Sequence, residues 1–387
     1  MKNHQSVLLG CVLSLVPLFG CAGPNAVAPQ PPQSGKLLII GGAIDEDAPA
    51  IYRALADNTS PGGVVGIIPT ASGEPDASAG AAAERIGLYA PGRVAKLVRI
   101  TQADTHLSND AATAAAVAGC DALFFTGGDQ QRILDVFRPG GAPTALSGAV
   151  DAVLAKGGIV AGTSAGAAMM SDPMILGGSS SRALEGAEKL PMGPGMGLFR
   201  YGIVDQHFLE RGRLGRLIVA MEQSDRDMGF GISEDRALLV DRPTGRLSAM
   251  GTDSVLMVDR RGSRREGPNR MNLRISLLSS GDVIDGNSGG VTVAAARRRS
   301  DGVAELPGGS ISDAWGKTAI RAAIRRIAGG ARSVTLDDER FTLVLSRDGR
   351  TRVFVNPADA ADVSVVGLRV DLSSRAQPAS APAAGER

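Results

Sequence analysis

The sequence predicts an α/β fold in which a mostly parallel sheet is covered by helices and is followed by an antiparallel C-terminal part. Over the first half of the chain, short apolar runs alternate with Ala-rich segments, a pattern typical of strands joined by crossover helices. Glycine is abundant, at 51 of 387 residues, while aromatic residues make up only 3%, and this composition suits tight strand-to-helix turns. Beyond about Gly231, shorter runs separated by turn residues indicate antiparallel pairing.

The first predicted strand, residues 36–40, is an apolar run that ends at two glycines, which is typical of a strand buried on both faces. In a parallel sheet the functional loops follow the carboxyl ends of the strands, so we expect the site there. Further predicted strands are 64–69, 93–100, 122–126 and 158–161, with helices at 81–88, 109–118 and 145–155. The later predicted elements are strands 237–241, 254–258, 273–278, 291–295, 341–346 and 351–355 and an amphipathic helix at 315–327.

The N-terminus predicts export. The apolar run 7–19 contains Pro17 and is too short to span a bilayer, so it is typical of a secretion signal. Gly20 and Cys21 resemble the bacterial lipoprotein processing box, which predicts lipidation of Cys21 and a lipoprotein anchored in the periplasm or at the cell surface. An ordinary signal peptide, with Cys21 incidental and the protein secreted, is the alternative. The predicted organisation is a signal peptide (1–20), a Pro-rich tether (21–35), a main α/β domain (36–300), a small α+β extension (301–375) and a disordered tail (376–387).

Charge and composition exclude several function classes. The chain has 41 Lys and Arg residues against 40 Asp and Glu residues, so a nucleic-acid partner or a membrane contact through surface charge is not expected. The lipid anchor is then the only predicted membrane contact. The sequence contains no His, Cys and acid cluster with metal-ligand spacing, so neither a metal nor another cofactor is expected.

A candidate nucleophile lies at Ser164, in a G-x-S-x-G segment that directly follows the predicted strand 158–161. In that context the pattern indicates a strained strand-to-helix turn that exposes the serine hydroxyl, with glycines where side chains would collide with neighbouring strands. The alternative is a Gly-rich turn that binds an anion at a helix N-terminus.

The base that such a serine needs is predicted at His207, because His4 leaves with the signal and His106 lies in a polar loop. The third member should be a carboxylate that follows a strand. Glu234 is the preferred residue, and Asp235 and Asp205 are rivals.

An oxyanion hole is predicted from two backbone amides, those of Gly128 and Ala165. Gly128 follows the predicted strand 122–126, and Ala165 follows the nucleophile. The alternative for this loop is a tight turn in which Asp129 caps the next helix.

These residues resemble a known family, the cyanophycinases, which are serine hydrolases related to the aspartyl dipeptidases. The resemblance rests on the segments 127–130, 161–166, 205–217 and around Glu234, in matching order and spacing. It implies a flavodoxin-like sheet related to the class I glutamine amidotransferases. It also implies Ser164 as nucleophile, His207 as base and Glu234 as orienting acid, and it leaves a homodimer open because relatives are often dimeric.

The resemblance further implies a substrate: cyanophycin, a polyaspartate that carries arginine on each side-chain carboxyl, cut from one end into β-Asp-Arg dipeptides through an acyl-enzyme. Each unit carries a guanidinium and a free carboxylate, so arginine forks suit the carboxylate and Asp205 could meet the guanidinium. The rivals are an aspartyl or isoaspartyl dipeptidase with the same triad and a non-catalytic, peptide-binding surface lipoprotein. For the arginines, the alternative is a helix face paired with Glu210 and Glu222. The implied pocket residues are Asp129, Gln130, Asp205, Gln206, Arg211, Arg213 and Arg216.

Overall fold

The structure, a computed structural model, describes residues 34–45, 48–186, 188–300 and 309–375. The predicted signal peptide, almost all of the tether and the predicted tail lie outside the described residues. No helix in the described ranges is both long and apolar enough to cross a membrane. The α-helices of the described residues are α1 (Pro49–Asp57), α2 (Pro75–Tyr89), α3 (Ala111–Ala118), α4 (Gln130–Phe137), α5 (Ala145–Ala155), α6 (Ala165–Ala168), α7 (Ser180–Glu185), α8 (Leu214–Gln223) and α9 (Ala319–Ala328).

The strands of the described residues form two large sheets and one small hairpin. In chain order they are β1 (Lys36–Ile40), β2 (Val64–Ile68), β3 (Val94–Leu97), β4 (Ala122–Phe125), β5 (Ile159–Thr163), β6 (Met174–Ile175), β7 (Met192–Gly193), β8 (Ile203–Asp205), β9 (Met228–Ile232), β10 (Ala237–Asp241), β11 (Arg246–Met250), β12 (Val255–Asp259), β13 (Arg264–Glu266), β14 (Asn269–Leu278), β15 (Val283–Asp285), β16 (Val291–Thr292), β17 (Arg298–Arg299), β18 (Ser310–Ser312), β19 (Ser333–Asp337), β20 (Phe341–Ser346), β21 (Arg352–Asn356) and β22 (Asp359–Ser374).

The first sheet has the order β16-β15-β11-β10-β1-β5-β4-β2-β3. Its five strands from β1 to β3 are parallel, and the four strands beyond β1 are antiparallel to their neighbours. In the register of β1 and β5, Ile40 lies opposite Thr163, so the two strands end at the same level. The predicted α/β class, with a largely parallel central sheet and an antiparallel C-terminal part, is confirmed.

The second sheet has the order β18-β19-β20-β22-β14-β12-β9-β8, with β13, β17 and β21 attached beside it. The long strand β22 pairs with β14 from Leu372 opposite Arg270 to Val365 opposite Leu277. The predicted domain boundary at residue 300 stays a prediction, but the segment predicted as an extension continues a sheet that begins with β8 and β9. The antiparallel strands of the C-terminal half are therefore divided between two sheets, which the sequence pattern did not indicate.

Three clusters of buried side chains hold these layers together. On β1, Leu37 and Ile39 face a core shared with α4, α5 and β9, whereas Leu38 and Ile40 face a core shared with α1 and α2. The strand is thus buried on both faces, as predicted, and β1 and α5 have the predicted bounds. The third cluster packs α8 and α9 against the second sheet. Helix α9 begins at Ala319, after the predicted start at residue 315.

Candidate active site

Ser164 lies at a sharp turn between β5 and α6. Its backbone has φ 54° and ψ −110°, a conformation that L-residues rarely adopt and that stores strain at functional turns. The flanking glycines leave no room for a side chain: a Cβ on Gly166 would lie 2.6 Å from the Phe125 carbonyl oxygen of β4, and one on Gly162 would lie 2.2 Å from the Gly166 oxygen. The glycines of the motif therefore permit the close packing that this turn requires.

The three residues predicted to act together lie in one line of hydrogen bonds. Ser164 Oγ is 2.9 Å from His207 Nε2, and His207 Nδ1 is 2.7 Å from Glu234 Oε1. The rival carboxylates have other partners: Asp235 pairs with Arg236, and Asp205 pairs with Arg216. This is the arrangement of nucleophile, base and orienting acid.

Two glycines that follow β1, Gly41 and Gly42, contact His207 and fix its position. The His207 backbone has φ 46°, and its N–H donates to the Gly41 carbonyl oxygen over 2.7 Å. Gly42 has φ 105°, and a Cβ there would lie 2.3 Å from His207 Cε1. The sequence argument assigned Gly41 and Gly42 no role at the site, although paired glycines after a strand were the same signal that identified the loop at Gly127 and Gly128.

His207 is suited to accept a proton at neutral pH. Burial lowers its pKa from the ordinary 6.5, the hydrogen bond to Glu234 opposes that shift, and the charges of Arg211 and Arg213 lower the pKa further. The ring is therefore neutral and can act as a base.

The loop that follows β4 lies beside the Ser164 hydroxyl. A Cβ on Gly127 would be 3.8 Å from Ser164 Oγ, and one on Gly128, at φ 141°, would be 1.9 Å from the Ala71 carbonyl oxygen. Gly127 therefore lies next to the serine, Ala165 follows it directly in the chain, and the oxyanion role of the Gly128 and Ala165 amides stays a prediction. Asp129 is exposed and its carboxylate accepts the Gln131 N–H, so the capping alternative for Asp129 also holds.

Two residues predicted to contact substrate, Asp205 and Arg216, are buried and bind each other. Arg216 donates through Nε and Nη2 to the two carboxylate oxygens of Asp205, at 2.8 and 2.5 Å, and also to the Gly178 carbonyl oxygen. Their side chains are 5% and 1% exposed. The two charges neutralise each other in a buried, bidentate pair, and their contact with substrate stays a prediction.

Of the other predicted pocket residues, Gln130, Gln206 and Arg213 are held by hydrogen bonds within the protein. Arg213 donates to the backbone and side-chain oxygens of Gln206, and burial lowers its pKa to about 10. Gln130 donates to the Ile175 carbonyl oxygen. Arg211 is exposed, and no carboxylate within the described ranges pairs with its guanidinium.

The alternative in which these arginines pair with Glu210 and Glu222 is not found among the described residues. Glu210 pairs with Arg321, and Glu222 pairs with Arg265 and Arg270. Within the described residues, no group of three or more His, Cys, Asp or Glu side chains could hold a metal ion.

Residues 37–247 match the family model described as peptidase family S51. The chain belongs to peptidase family S51. It is therefore a serine-type peptidase, and Ser164 lies within the matched range.

Several similar S51 relatives carry the name cyanophycinase. Those from Trichormus variabilis and a Nostoc species are each 33% identical over 266 residues, which cover 65% of this chain and 86% of the relative. The one from Geminocystis herdmanii is 29% identical over 259 residues, covering 64% of this chain and 92% of the relative. The crystal structure of a peptidase from an acI-B1 Actinobacterium matches with a TM-score of 0.48 at 16% identity, covering 68% of this chain and 96% of that one.

Proposed function

We propose that this S51 peptidase hydrolyses cyanophycin from one end to β-Asp-Arg dipeptides, with Ser164, His207 and Glu234 as its catalytic triad. The observation that carries the proposal is the continuous line of hydrogen bonds from Ser164 Oγ through the imidazole to Glu234. The substrate assignment is supported by the relatives named cyanophycinase that align over most of their own length.

In the proposed reaction, Ser164 Oγ attacks the scissile amide carbon while His207 Nε2 takes the hydroxyl proton. The amides of Gly128 and Ala165 stabilise the negative oxygen of the tetrahedral intermediate. His207 then gives its proton to the leaving nitrogen, the C–N bond breaks, and an acyl-enzyme forms on Ser164. Water then attacks the acyl carbon while His207 takes its proton, and His207 returns this proton to Ser164 Oγ as the ester C–O bond breaks and the acyl product leaves. Glu234 keeps Nδ1 protonated and stabilises the imidazolium during both steps.

Recognition of each substrate unit requires a cation for its carboxylate and an anion for its guanidinium. Arg211 is exposed and its charge acts on His207, so it is positioned for the carboxylate. Asp129 presents an exposed carboxylate next to Gly128 and is suited to the guanidinium. Gln130, Gln206 and Arg213 are further proposed contacts, and the Asp205 and Arg216 pair fixes the neighbouring segments through its hydrogen bonds.

The test is to incubate the purified protein with insoluble cyanophycin and to identify the soluble products by mass spectrometry. We expect β-Asp-Arg as the main product, and we expect Ser164→Ala to lower turnover by about four to six orders of magnitude, since nucleophile and base act as a unit. Plain polyaspartate serves as the control substrate, and it should be cleaved slowly because the charged groups that read arginine would be left unpaired. Equal cleavage of α-aspartyl dipeptides would replace this proposal with a dipeptidase, and retained activity of Ser164→Ala would end the triad assignment.

We further propose that the protein is exported and anchored through a lipid on Cys21. The support is the apolar run 7–19 followed by Gly20 and Cys21, which lies outside the described residues. Metabolic labelling with a fatty acid should tag the wild type but not Cys21→Ser, and the variant should move to the soluble fraction. A wild-type protein that is not labelled would contradict the lipid anchor but not the proposed export. The homodimer stays a prediction, which the mass in solution would test.

A further inference from the structure

Helix α9 places a fixed positive charge behind the residues of the proposed triad. It lies in the C-terminal segment, beyond the residues 37–247 that match the family model. Its Arg321 donates through Nη2 to Glu210 Oε1 over 2.8 Å, and its Nε is 3.3 Å from Asp253 Oδ2. The side chains of Glu210 and Asp253 are 9% and 3% exposed, so Arg321 is the charged partner of Glu210 and shares Asp253 with Arg325.

Glu210 links this arginine to the acid of the triad. Its second oxygen, Oε2, accepts the backbone N–H of Glu234 over 3.0 Å, and Glu234 in turn contacts the imidazole of His207 over 2.7 Å. Glu210 also lies three residues after His207, in the turn that His207 begins. The bonds therefore run without interruption from Arg321 to Glu210, to the Glu234 backbone and then to His207.

We propose that Arg321 is a positioning residue for the S51 reaction, acting through Glu210 to hold Glu234 against His207. The inference rests on the proposed triad and extends it to the C-terminal segment.

The physical reason is the cost of an unpaired carboxylate in a nearly buried place. Without Arg321, the Glu210 carboxylate would lose its charged partner and would take up a proton or turn toward water. Either change weakens or removes the acceptor for the Glu234 N–H, and the Glu234 carboxylate then loses its fixed position. Arg321, Glu210 and Glu234 line one cavity of about 420 Å³. Water can therefore reach the Glu210 carboxylate when Arg321 no longer binds it.

Arg325 provides a matched control on the same helix. It is one turn further along α9 and pairs with Asp253 Oδ2 over 2.8 Å, and in the described part of the chain no hydrogen bond joins it to Glu210. Its side chain is 45% exposed. Arg325→Met therefore removes the same charge from the same face without touching the path to Glu234.

The experiment measures how fast a fluorophosphonate labels Ser164 in the full-length protein, since this readout does not depend on the substrate. We expect Arg321→Met to slow labelling about tenfold, because misplacement of a catalytic group is costly, and Arg325→Met to stay within about twofold of the wild type. Equal rates for Arg321→Met and the wild type, or equal losses in both variants, would overturn the proposal. A wild type that is not labelled at Ser164 would instead refute the triad itself, and this inference with it.

A second measurement separates positioning from a general structural role. In the Glu234→Ala background, Arg321→Met should cause no further slowing, because the side-chain contact with His207 that Arg321 supports is already removed. The same loss in both backgrounds would mean that the effect does not pass through the Glu234 side chain. If Arg321→Met fails to fold, Arg321→Lys takes its place: lysine keeps the positive charge but not the planar guanidinium, and we expect a two- to fivefold slowing that disappears in the Glu234→Ala background. A lysine variant that labels at the wild-type rate would contradict the proposal.

Discussion

The Ser164 edge of the first sheet, where Ser164, His207 and Glu234 meet, differs from the C-terminal segment 309–375 in how it uses backbone and charge. At the Ser164 edge, backbone strain at Ser164 and His207 and glycines without room for a side chain bring the reacting groups together. In the C-terminal segment, charged side chains bind oppositely charged partners on the rest of the molecule, as Arg321 and Asp362 do. From this comparison we expect turnover to be most sensitive to backbone geometry at the Ser164 edge, and we expect the C-terminal segment to act through stability and through the charge of Arg321.

The largest expected effect concerns the buried ion pairs of Arg297, whose loss should lower stability and leave turnover unchanged. Arg297 is 2% exposed and pairs with Asp282 and with Asp362 of β22. Arg297→Met leaves two carboxylates without their cation, and we expect the free energy of unfolding to fall by about 3–5 kcal/mol, with kcat within about twofold of the wild type. Urea unfolding and turnover of the same preparation measure both. Arg298→Met, at an exposed neighbour, is the control and should change stability by about 0.5 kcal/mol or less. A large loss of kcat in folded Arg297→Met would break the comparison.

A variant of Gly42, the glycine that packs against His207, tests the Ser164 edge. In Gly42→Ala the new Cβ would lie 2.3 Å from His207 Cε1, so the imidazole must move, and we expect kcat to fall about a hundredfold. Gly92→Ala is the matched control, because Gly92 has φ 77° and nothing within 4 Å of the added atom. It should lose stability through strain alone and keep its turnover. Equal activity of Gly42→Ala and Gly92→Ala would show that Gly42 does not position His207.

Variants of Arg211 and Arg216 distinguish substrate recognition from structural stability at the Ser164 edge. Arg211 is exposed, so Arg211→Met should lower kcat/KM for cyanophycin about tenfold through one lost charge-assisted bond and leave the melting temperature unchanged. Arg216→Met leaves the buried Asp205 with only the longer contact to Arg213, at 3.4 Å, and should lower the melting temperature markedly. Steady-state kinetics and thermal unfolding of both variants give the result. An Arg211→Met protein with wild-type kinetics would remove Arg211 from the binding site.

The smallest expected effect is a shift in pH dependence. The base must be neutral, so kcat/KM rises with pH through the pKa of His207 in the free enzyme. Burial and the two arginines lower that pKa below 6.5, so the acid limb of the wild type should lie below that pH. Arg211→Met removes one of the lowering charges and should move the limb to higher pH. A wild-type limb above pH 6.5, or a limb that Arg211→Met moves downward, would contradict the assigned cause.

The elements nearest to the site were predictable because their signals are local. A strand buried on both faces must be apolar throughout, so β1 and β5 are visible in the sequence, and glycines are required wherever backbones touch, so the turn at Ser164 is visible as well. Scarcity of histidine led to His207, and the structure places it 2.9 Å from Ser164. The membership in family S51 rests on these same segments.

The partners of the charged residues could not be predicted in this way. Sequence spacing does not say whether Asp205 turns toward a ligand or toward Arg216, since both satisfy the need of a buried carboxylate for a cation. The distribution of the antiparallel strands between two sheets was equally hidden, because β10 and β12 have similar apolar patterns and differ only in the partner that they meet.

The sequence by itself determined the α/β class and the turn at Ser164, because each depends on residue types within a few positions of one another. It also indicated His207, because the chain has few histidines, and Glu234 with two rivals. Only the tertiary structure decided that Gly42 seats the imidazole, that Asp205 and Arg216 neutralise each other, and that Arg321 reaches Glu210 across 111 positions of the chain. The physical reason is that a charge or a close contact requires a partner in space, and folding brings that partner from any distance along the chain.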